Sequence, residues 1–363
     1  MRAPADVTAC AAILRDRDYR VVDLERYFAG LEVASGITLT NVRAQIARLL
    51  FFVPGERHVE LRRSVLAFFR PATVAAWQPA IARSAENVLE RLTGRDEVDL
   101  VADFAAPVSA ETICRVLGLP VARRHEYDAW AEEARWLTEP MLPMRRLRRI
   151  DAALAAFAAA VGEAIDAGPP AEAQGLPTFL HHPLPGLSRE DRLWLAIVLY
   201  GAGQSTLHTL ANILYRLLSL PEKRRAVLAD PARRMAATDR LIAACGSIQF
   251  ISRMTGSTGN EGGVGEMRID LPLAEANFAA LGAMCPLDAG ALHPFPHLAF
   301  GAGAHKCVGA LLARLIVAEG LSALVRRHPA FAAARPPRGF QSSVVIVSPL
   351  DLPCNLHRKN GAS

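Results

Sequence analysis

Apolar residues recur every three or four positions along most of the chain, which is the period of amphipathic helices. The pattern predicts helices over residues 57–69 and 72–92. Pro71 separates them, because proline inside a helix removes a backbone donor and clashes with the preceding turn. A third helix is predicted over residues 109–117. It ends at Gly118, a residue type common just beyond helix C-termini.

Two further helices are predicted later in the chain. Ser188 is placed to cap a helix of roughly 30 residues that ends before Pro221. Its segment 193–200 is apolar on all sides, so we expect this helix to cross the protein interior. A last helix is predicted to begin after Cys307 and to continue through Arg326.

Strand and loop signals are short. Residues 270–276 and 342–347 are candidate strands, the second because of its Val-Val-Ile-Val run. Proline and glycine between residues 168 and 186 predict a long surface connection, and the glycine-rich stretch 256–265 predicts a turn or loop. The chain is therefore predicted to be mainly α with small β-sheets.

The composition agrees with a large folded protein. The 363 residues are 51% hydrophobic and 21% charged, which excludes a disordered chain. The length exceeds the roughly 250–300 residues of a single core, so two lobes or one large mixed domain are expected. The formal net charge of +5 is mild for this length and does not by itself indicate nucleic-acid binding.

Charge clusters and cysteines refine this description. Four arginines at positions 145, 146, 148 and 149 are interpreted as a solvated helix face, with an acidic partner or ligand as the alternative. Six cysteines without a Cys-x-x-Cys pair predict mostly reduced thiols and a cytoplasmic location. The longest apolar stretch, near residues 193–203, is shorter than the roughly 20 residues that span a bilayer, so no membrane anchor is expected.

The most informative segment runs from Phe300 to Gly309. It fills six positions of a Phe-Gly-x-Gly-x-His-x-Cys-x-Gly pattern, ahead of an amphipathic helix. A cysteine at a helix N-terminus lies near free N–H groups and the positive end of the helix dipole, which lower its pKa and favour the thiolate. A thiolate is a strongly electron-donating ligand for haem iron. Gly301 and Gly303 permit a tight loop against a porphyrin face, and Gly309 places no side chain there. The alternative, a structural cysteine beside a glycine-rich turn, does not account for the six matched positions.

This segment resembles the cysteine-ligand loop of bacterial cytochromes P-450, and the similarity extends from about residue 9 to residue 353, with a close match over 104–120. The resemblance implies a mainly α fold with small β-sheets, in which a long central helix lies over haem b and the cysteine loop lies beneath it. It implies one domain over residues 1–363, with a helix-rich lobe, a small β-containing lobe and a shortened N-terminus. Cys307 would be the metal ligand, and Phe300, Gly301 and Gly309 would contact the cofactor.

The haem propionates require cations or strong donors. By the same resemblance, His58 and Arg62, at i and i+4 of one helix, would bind them together with Arg253 and His305. The alternative for His58 and Arg62 is an ordinary surface pair. Four matches in the expected order favour the propionate interpretation.

The long helix contains Ala202, Gly203, Ser205 and Thr206, where bacterial members usually carry Ala-Gly-x-Asp/Glu-Thr. Small residues leave space for dioxygen, and a threonine hydroxyl can leave the helix ladder and relay protons. Ser205 occupies the acidic position and does not titrate near neutral pH, so protons must arrive through water or another group. The alternative is simple helix packing by small residues.

The chain departs from the family at its Glu-x-x-Arg motif, whose positions hold Arg240 and Ala243. The segment 283–297 is also short. Because removing every partner of a buried charge network costs less than removing one, we expect the network to be deleted as a unit.

The leading hypothesis is a monooxygenase or oxidase that acts on a small organic substrate in specialised metabolism, with a ferredoxin-type electron donor. Lys306, Arg62, Arg63 and Arg314 would form a basic docking patch for that donor. Two alternatives are an accessory, non-redox protein that stabilises a partner enzyme, and a peroxide-driven haem enzyme.

Overall fold

The computed structural model describes residues 1–139, 141–173, 175–256, 266–282, 285–288, 296–341, 343 and 345–357. Of the predicted loop 256–265, only Gly256 is among the described residues. Part of the short segment 283–297 and part of the predicted strand 342–347 also lie outside them.

Helices dominate the described residues. The α-helices are α1 (Val7–Arg15), α2 (Leu24–Ser35), α3 (Thr40–Ile46), α4 (Gly55–Phe68), α5 (Pro71–Glu90), α6 (Ala106–Leu117), α7 (Arg124–Ala134), α8 (Met144–Ala167), α9 (Arg189–Leu218), α10 (Glu222–Arg225), α11 (Arg234–Cys245), α12 (Leu273–Leu281) and α13 (Ala310–Arg327). The strands are β1 (Glu97–Asp99), β2 (Ile251–Thr255), β3 (Met267–Leu271), β4 (Ala332–Ala333) and β5 (Pro353–Asn355). The fold class predicted from the sequence is confirmed.

Local sequence signals place the main helices. α9 begins where predicted, because the Ser188 hydroxyl accepts a hydrogen bond of 3.0 Å from the Asp191 amide and caps the first turn. α6 ends at Gly118, which adopts a left-handed φ of +87°. Residues 194–198 of α9 are all buried, so the helix crosses the interior as expected.

Two small antiparallel sheets accompany the helices. One has the strand order β1-β5-β4, and the other is the hairpin β2–β3, in which Arg253 pairs with Ile269. The chain start lies along this hairpin, since the Ala3 amide donates to the Asp270 carbonyl at 2.9 Å. On the other edge, the Arg20 amide donates to the Met254 carbonyl at 2.8 Å.

Three sequence predictions are wrong in whole or in part. The predicted strand 270–276 ends at Leu271, because Pro272 cannot continue the ladder and helix-forming residues then start α12. In the predicted strand 342–347, the described residues form only an isolated bridge, between Ile346 and Ile248. The connection 168–186 is not purely a surface segment, since Phe179 is fully buried and its amide donates to Val116 of α6.

The apolar core has two parts. The larger cluster joins α2 to α9, α11 and α13. The smaller one joins α1, β3 and α12 to Leu298, just before the cysteine segment, and to Ala302 within it. Among the described residues, no helix is both long enough and apolar enough to cross a bilayer. The assignment of residues 1–363 to one domain stays a prediction.

Candidate active site

The segment 300–309 forms a tight loop ahead of α13. The Cys307 amide donates to the Phe300 carbonyl at 2.9 Å and closes the loop, and the Gly301 amide donates to the Leu298 carbonyl at 2.9 Å. Gly301 and Gly303 adopt φ values of +65° and +70°, which side chains rarely tolerate. Gly309 then precedes the first residue of α13, Ala310. The loop therefore holds Cys307 just before the N-terminus of a helix.

Gly303 is fixed by a close approach rather than by the turn alone. A Cβ atom at this position would lie 2.2 Å from the carbonyl oxygen of Leu14, at the end of α1. A Cβ at Gly309 would instead meet no atom within 4 Å. The two glycines thus differ: Gly303 brings the loop against α1, and Gly309 leaves open space beside Cys307.

Cys307 differs from the other five cysteines in its surroundings. Its side chain is exposed, whereas four of the others are buried and Cys245 is half-buried. Burial is nevertheless the largest influence on its thiol, and it raises the pKa of Cys307. The side chain is therefore accessible to a ligand although many protein atoms surround it.

The electrostatics of Cys307 correct one expectation. The Gly309 amide and the charges of Arg62, Arg314 and Lys306 do lower the pKa of the thiol, as expected near a helix N-terminus. Burial outweighs them, so the net pKa is raised and the prediction of a lowered value is wrong for the protein alone. A cation bound to the sulfur would supply the stabilisation that the thiolate lacks.

The predicted propionate residues lie together beside the cysteine loop. Arg62 of α4 donates from Nη2 to the Lys306 carbonyl at 2.6 Å, and the rings of His58 and His305 stack with centroids 4.0 Å apart. The Arg253 and Arg62 charges both lower the pKa of His305, although its bond to Leu50 opposes them and burial is the largest cause. The four side chains therefore share one electrostatic neighbourhood.

These four basic groups have no acidic partner in the part of the chain that the structure describes. Arg253 is 3% exposed, and burial lowers its pKa. His58 is also buried, and its Nε2 atom has no hydrogen-bond partner among the described residues. Burial, His305 and Arg62 lower its pKa to about 4. Buried cations and donors without counter-charges are costly, so this cluster fits an anionic group with several acceptor oxygens.

The predicted oxygen-side residues lie in the middle of α9. Ala202 is exposed although the helix crosses the interior, and the Ser205 hydroxyl donates to its carbonyl at 2.7 Å. Thr206 is buried. Its hydroxyl makes no hydrogen bond within the described ranges, whereas Thr209 is bonded to Ser247 at 3.1 Å. Thr206 therefore keeps a hydroxyl that is free to bind another group.

Gly203, unlike Ala202, packs against a neighbouring helix. A Cβ there would lie 2.1 Å from the Cδ1 atom of Ile113 on α6, so glycine allows α9 and α6 to pack closely. For this residue, the alternative of helix packing accounts for its identity. Hydrogen bonds do not join Ala202, Ser205 or Thr206 to the cysteine loop in the described structure, and their placement opposite Cys307 stays a prediction.

Sequence reasoning missed a charged cluster behind the loop. Arg240 and Ala243, at the Glu-x-x-Arg positions, are buried in α11. The preceding residue, Asp239, accepts from Arg314 Nε of α13 at 2.5 Å and lies 3.3 Å from Nε2 of His297. The Glu-x-x-Arg residues are replaced, but a charged cluster of different residues lies behind the loop. The signal was present in the acid beside the motif and in the arginine after the cysteine, but no local pattern connects them.

This cluster also corrects the predicted basic docking patch. Arg314 is paired with Asp239 and its side chain is 25% exposed, and Arg62 is half-buried against the loop. Lys306 and Arg63 remain exposed. Only these two of the four predicted residues present free charge at the surface.

Comparison with known proteins finds similarity to bacterial cytochromes P-450. No family model matches it. It is 26% identical over 330 residues to the C-19 steroid 1alpha-hydroxylase of Sorangium cellulosum, covering 84% of this chain and 80% of that protein. It is 26% identical over 301 residues to cytochrome P-450 107B1 of Saccharopolyspora erythraea, covering 75% and 68%. The crystal structure of P-450 BioI with a fatty-acid-ligated acyl carrier protein matches with a TM-score of 0.79 at 20% identity, covering 97% and 91%.

Proposed function

This chain is a bacterial cytochrome P-450, and on that premise we propose that Cys307 binds the iron of haem b and that the protein oxidises a small organic substrate in specialised metabolism. Haem b is the cofactor of this family, and the protein is an oxidoreductase of the monooxygenase type. The proposal includes a ferredoxin-type electron donor and a cytoplasmic location. The metal ligand and the cofactor contacts are proposed to be the residues predicted from the sequence.

One observation carries the assignment of Cys307. Its side chain is exposed although burial raises its pKa, and a cluster of buried and half-buried basic groups without acidic partners among the described residues lies beside it. A haem would supply a metal cation to the sulfur and two carboxylates to the basic cluster. A purely structural cysteine would explain neither feature.

The basic cluster would bind and orient the cofactor. Arg253 and Arg62 would donate charge-assisted hydrogen bonds to the propionates, and the unpartnered Nε2 of His58 is a further donor site. Arg62 also holds the Lys306 carbonyl, so the same guanidinium links the α4 helix to the loop that carries Cys307. Phe300, Gly301 and Gly309 would lie against the ring.

When bound, thiolate-ligated haem supplies the chemistry of dioxygen activation. On the opposite side, the free hydroxyl of Thr206 would hold a proton or a water molecule. Ser205 can donate a hydrogen bond but has no titratable proton in the neutral range, so water must carry protons to Thr206. Ala202 would leave room beside the reacting atoms.

The electron donor is proposed to dock on the side where Lys306 and Arg63 are exposed. Because only two of these cations are exposed, the electrostatic attraction of an acidic ferredoxin would be weaker than with four exposed charges. The relatives are oxidoreductases, which does not favour the accessory, non-redox alternative. Peroxide-driven turnover remains an outcome of the test below, since the missing acid at Ser205 leaves it open.

The test is the spectrum of the reduced carbon-monoxide complex. The purified protein should show the red-shifted Soret band of thiolate ligation, and Cys307→Ser should abolish it. Cys245→Ser is the matched control, because Cys245 lies in α11 and should leave the band unchanged. A wild-type protein that binds haem without this band would refute Cys307 as the ligand. Turnover with peroxide but not with any ferredoxin would replace the proposed electron donor.

A further inference from the structure

We propose that Asp239 is a positioning residue for the cysteine loop, acting through Arg314 and His297 in place of the family's Glu-x-x-Arg residues. This inference rests on the proposed function in one respect, namely that the positioned residue, Cys307, is the iron ligand. The contacts themselves do not depend on it.

The three side chains join separate parts of the chain. Asp239 lies on α11, Arg314 on α13 and His297 in the segment that leads into the cysteine loop. One carboxylate oxygen of Asp239 accepts from Arg314 Nε at 2.5 Å, and the other lies 3.3 Å from His297 Nε2. The carboxylate therefore holds both groups at once.

Both ring nitrogens of His297 have partners. Its Nδ1 atom lies 3.2 Å from the Ala299 amide, which donates to it, and its Nε2 atom lies 3.3 Å from Asp239 and 3.5 Å from Nη2 of Arg314. The side chain of His297 is 5% exposed. The bonds from His297 and Arg314 lower the pKa of Asp239 although burial opposes them. The acceptor is thus an ionised carboxylate, which two donors share.

Arg314 carries the support from Asp239 to the loop. Its guanidinium lies 4.3 Å from the centroid of the Phe300 ring, a cation–π distance. The Phe300 carbonyl accepts from the Cys307 amide, and the Arg314 charge acts on the Cys307 thiol directly. Movement of Arg314 would therefore change both the position of the loop and the field at the sulfur.

A second ion pair between the same two helices provides a comparison. Glu319 of α13 accepts from Arg234 of α11 at 2.8 Å and from Gln78 of α5 at 2.8 Å. It holds the helices together without contacting the loop residues named above. The Asp239 cluster differs because its partners lead into the segment 297–307.

The first experiment measures hydrogen exchange in the purified full-length chain. Asp239→Asn should speed exchange in peptides covering residues 298–307 by roughly three- to tenfold, since the amides of Gly301 and Cys307 are bonded within the loop. Glu319→Gln removes the same charge from the other ion pair and should leave these peptides unchanged. Equal effects of the two variants, or no effect of Asp239→Asn, would overturn the proposal.

The second readout concerns the cofactor. The carbon-monoxide complex of Asp239→Asn should lose its thiolate band to a blue-shifted form faster than that of Glu319→Gln. Asp239→Glu and Arg314→Lys keep the charges and alter only geometry, and they serve if Asp239→Asn does not fold. Loop exchange confined to 298–307 in these variants supports the inference, and exchange spread over α11 and α13 overturns it. If the wild-type protein lacks the thiolate band while the exchange result holds, the proposed function fails and the positioning role stands.

Discussion

The imidazole rings of His58 and His305 stack with their centroids 4.0 Å apart and their planes 27° from parallel. The pair connects α4 to the cysteine loop, and the Nδ1 atom of His305 is bonded to the Leu50 carbonyl at 3.0 Å. Two imidazolium ions at this distance would repel each other, and burial also disfavours their charge. The stack is therefore a neutral pair in the protein without an anion.

This pair predicts a loss of stability in mild acid. The pKa of His58 is about 4 in the folded protein and 6.5 when unfolded, so the unfolded chain binds more protons between these values. The stabilising contribution is complete above pH 6.5 and is lost as the pH falls towards 4. The free energy of unfolding in urea should fall less between pH 7 and pH 5 in His58→Gln than in wild type, by about 2 kcal/mol. An equal difference in both proteins would contradict the neutral stack.

Arg62 should govern haem retention. Arg62→Gln removes a cation from the basic cluster and the bond to the Lys306 carbonyl, so transfer of haem to an acceptor protein should be roughly tenfold faster. Arg63→Gln is the control, because Arg63 follows Arg62 on the same helix and its side chain is exposed. It should retain haem and slow only reduction by the electron donor. Faster haem loss from Arg63→Gln would point to a general effect of charge.

The two glycines of the loop should respond differently to alanine. Gly303→Ala forces a side chain into a φ of +70° and against Leu14, and it should lower the free energy of unfolding by about 1–3 kcal/mol. Gly309→Ala has an ordinary φ of −88° and open space, so it should leave haem-free stability unchanged. Its methyl group should weaken haem binding if the ring lies there. Haem affinity equal to wild type would place the ring elsewhere.

Thr206→Ala should uncouple oxygen consumption from product formation. The variant loses the free hydroxyl on α9, so less product should form per dioxygen consumed while the haem spectrum stays unchanged. Thr209→Ala is the matched control on the same helix, since its hydroxyl is already bonded to Ser247. The ratio of product formed to dioxygen consumed, measured for each variant, distinguishes them. Equal uncoupling in both variants would remove Thr206 from the proton path.

Local signals in the sequence placed the five predicted helices, α4, α5, α6, α9 and α13, close to their observed ends, and the other described helices were not predicted from them. Ser188 and Gly118 bound α9 and α6 because capping depends on a residue and its nearest neighbours. The strand predicted at 270–276 failed at Pro272, where a local rule against proline in a ladder was overlooked. The cysteine loop was predictable because its glycines, histidine and cysteine lie within ten residues.

The support behind the loop was not predictable in the same way. Asp239, His297 and Arg314 meet only in three dimensions, and each has an ordinary sequence context. The contact of Gly303 with Leu14 is equally remote along the chain. Such pairs depend on how helices are placed, which spacing within a single segment does not encode.

The contacts of residues 1–20 have a consequence for folding kinetics. Ala3 and Arg20 pair with the two edges of the β2–β3 hairpin, and Leu14 touches Gly303, so these early residues find their partners only when much later segments are present. Contacts of such high sequence separation slow folding, because a long chain must close before they form. On the ribosome, α1 would wait for nearly the whole polypeptide before docking, and the cysteine loop would be among the last parts of the protein to acquire its final shape.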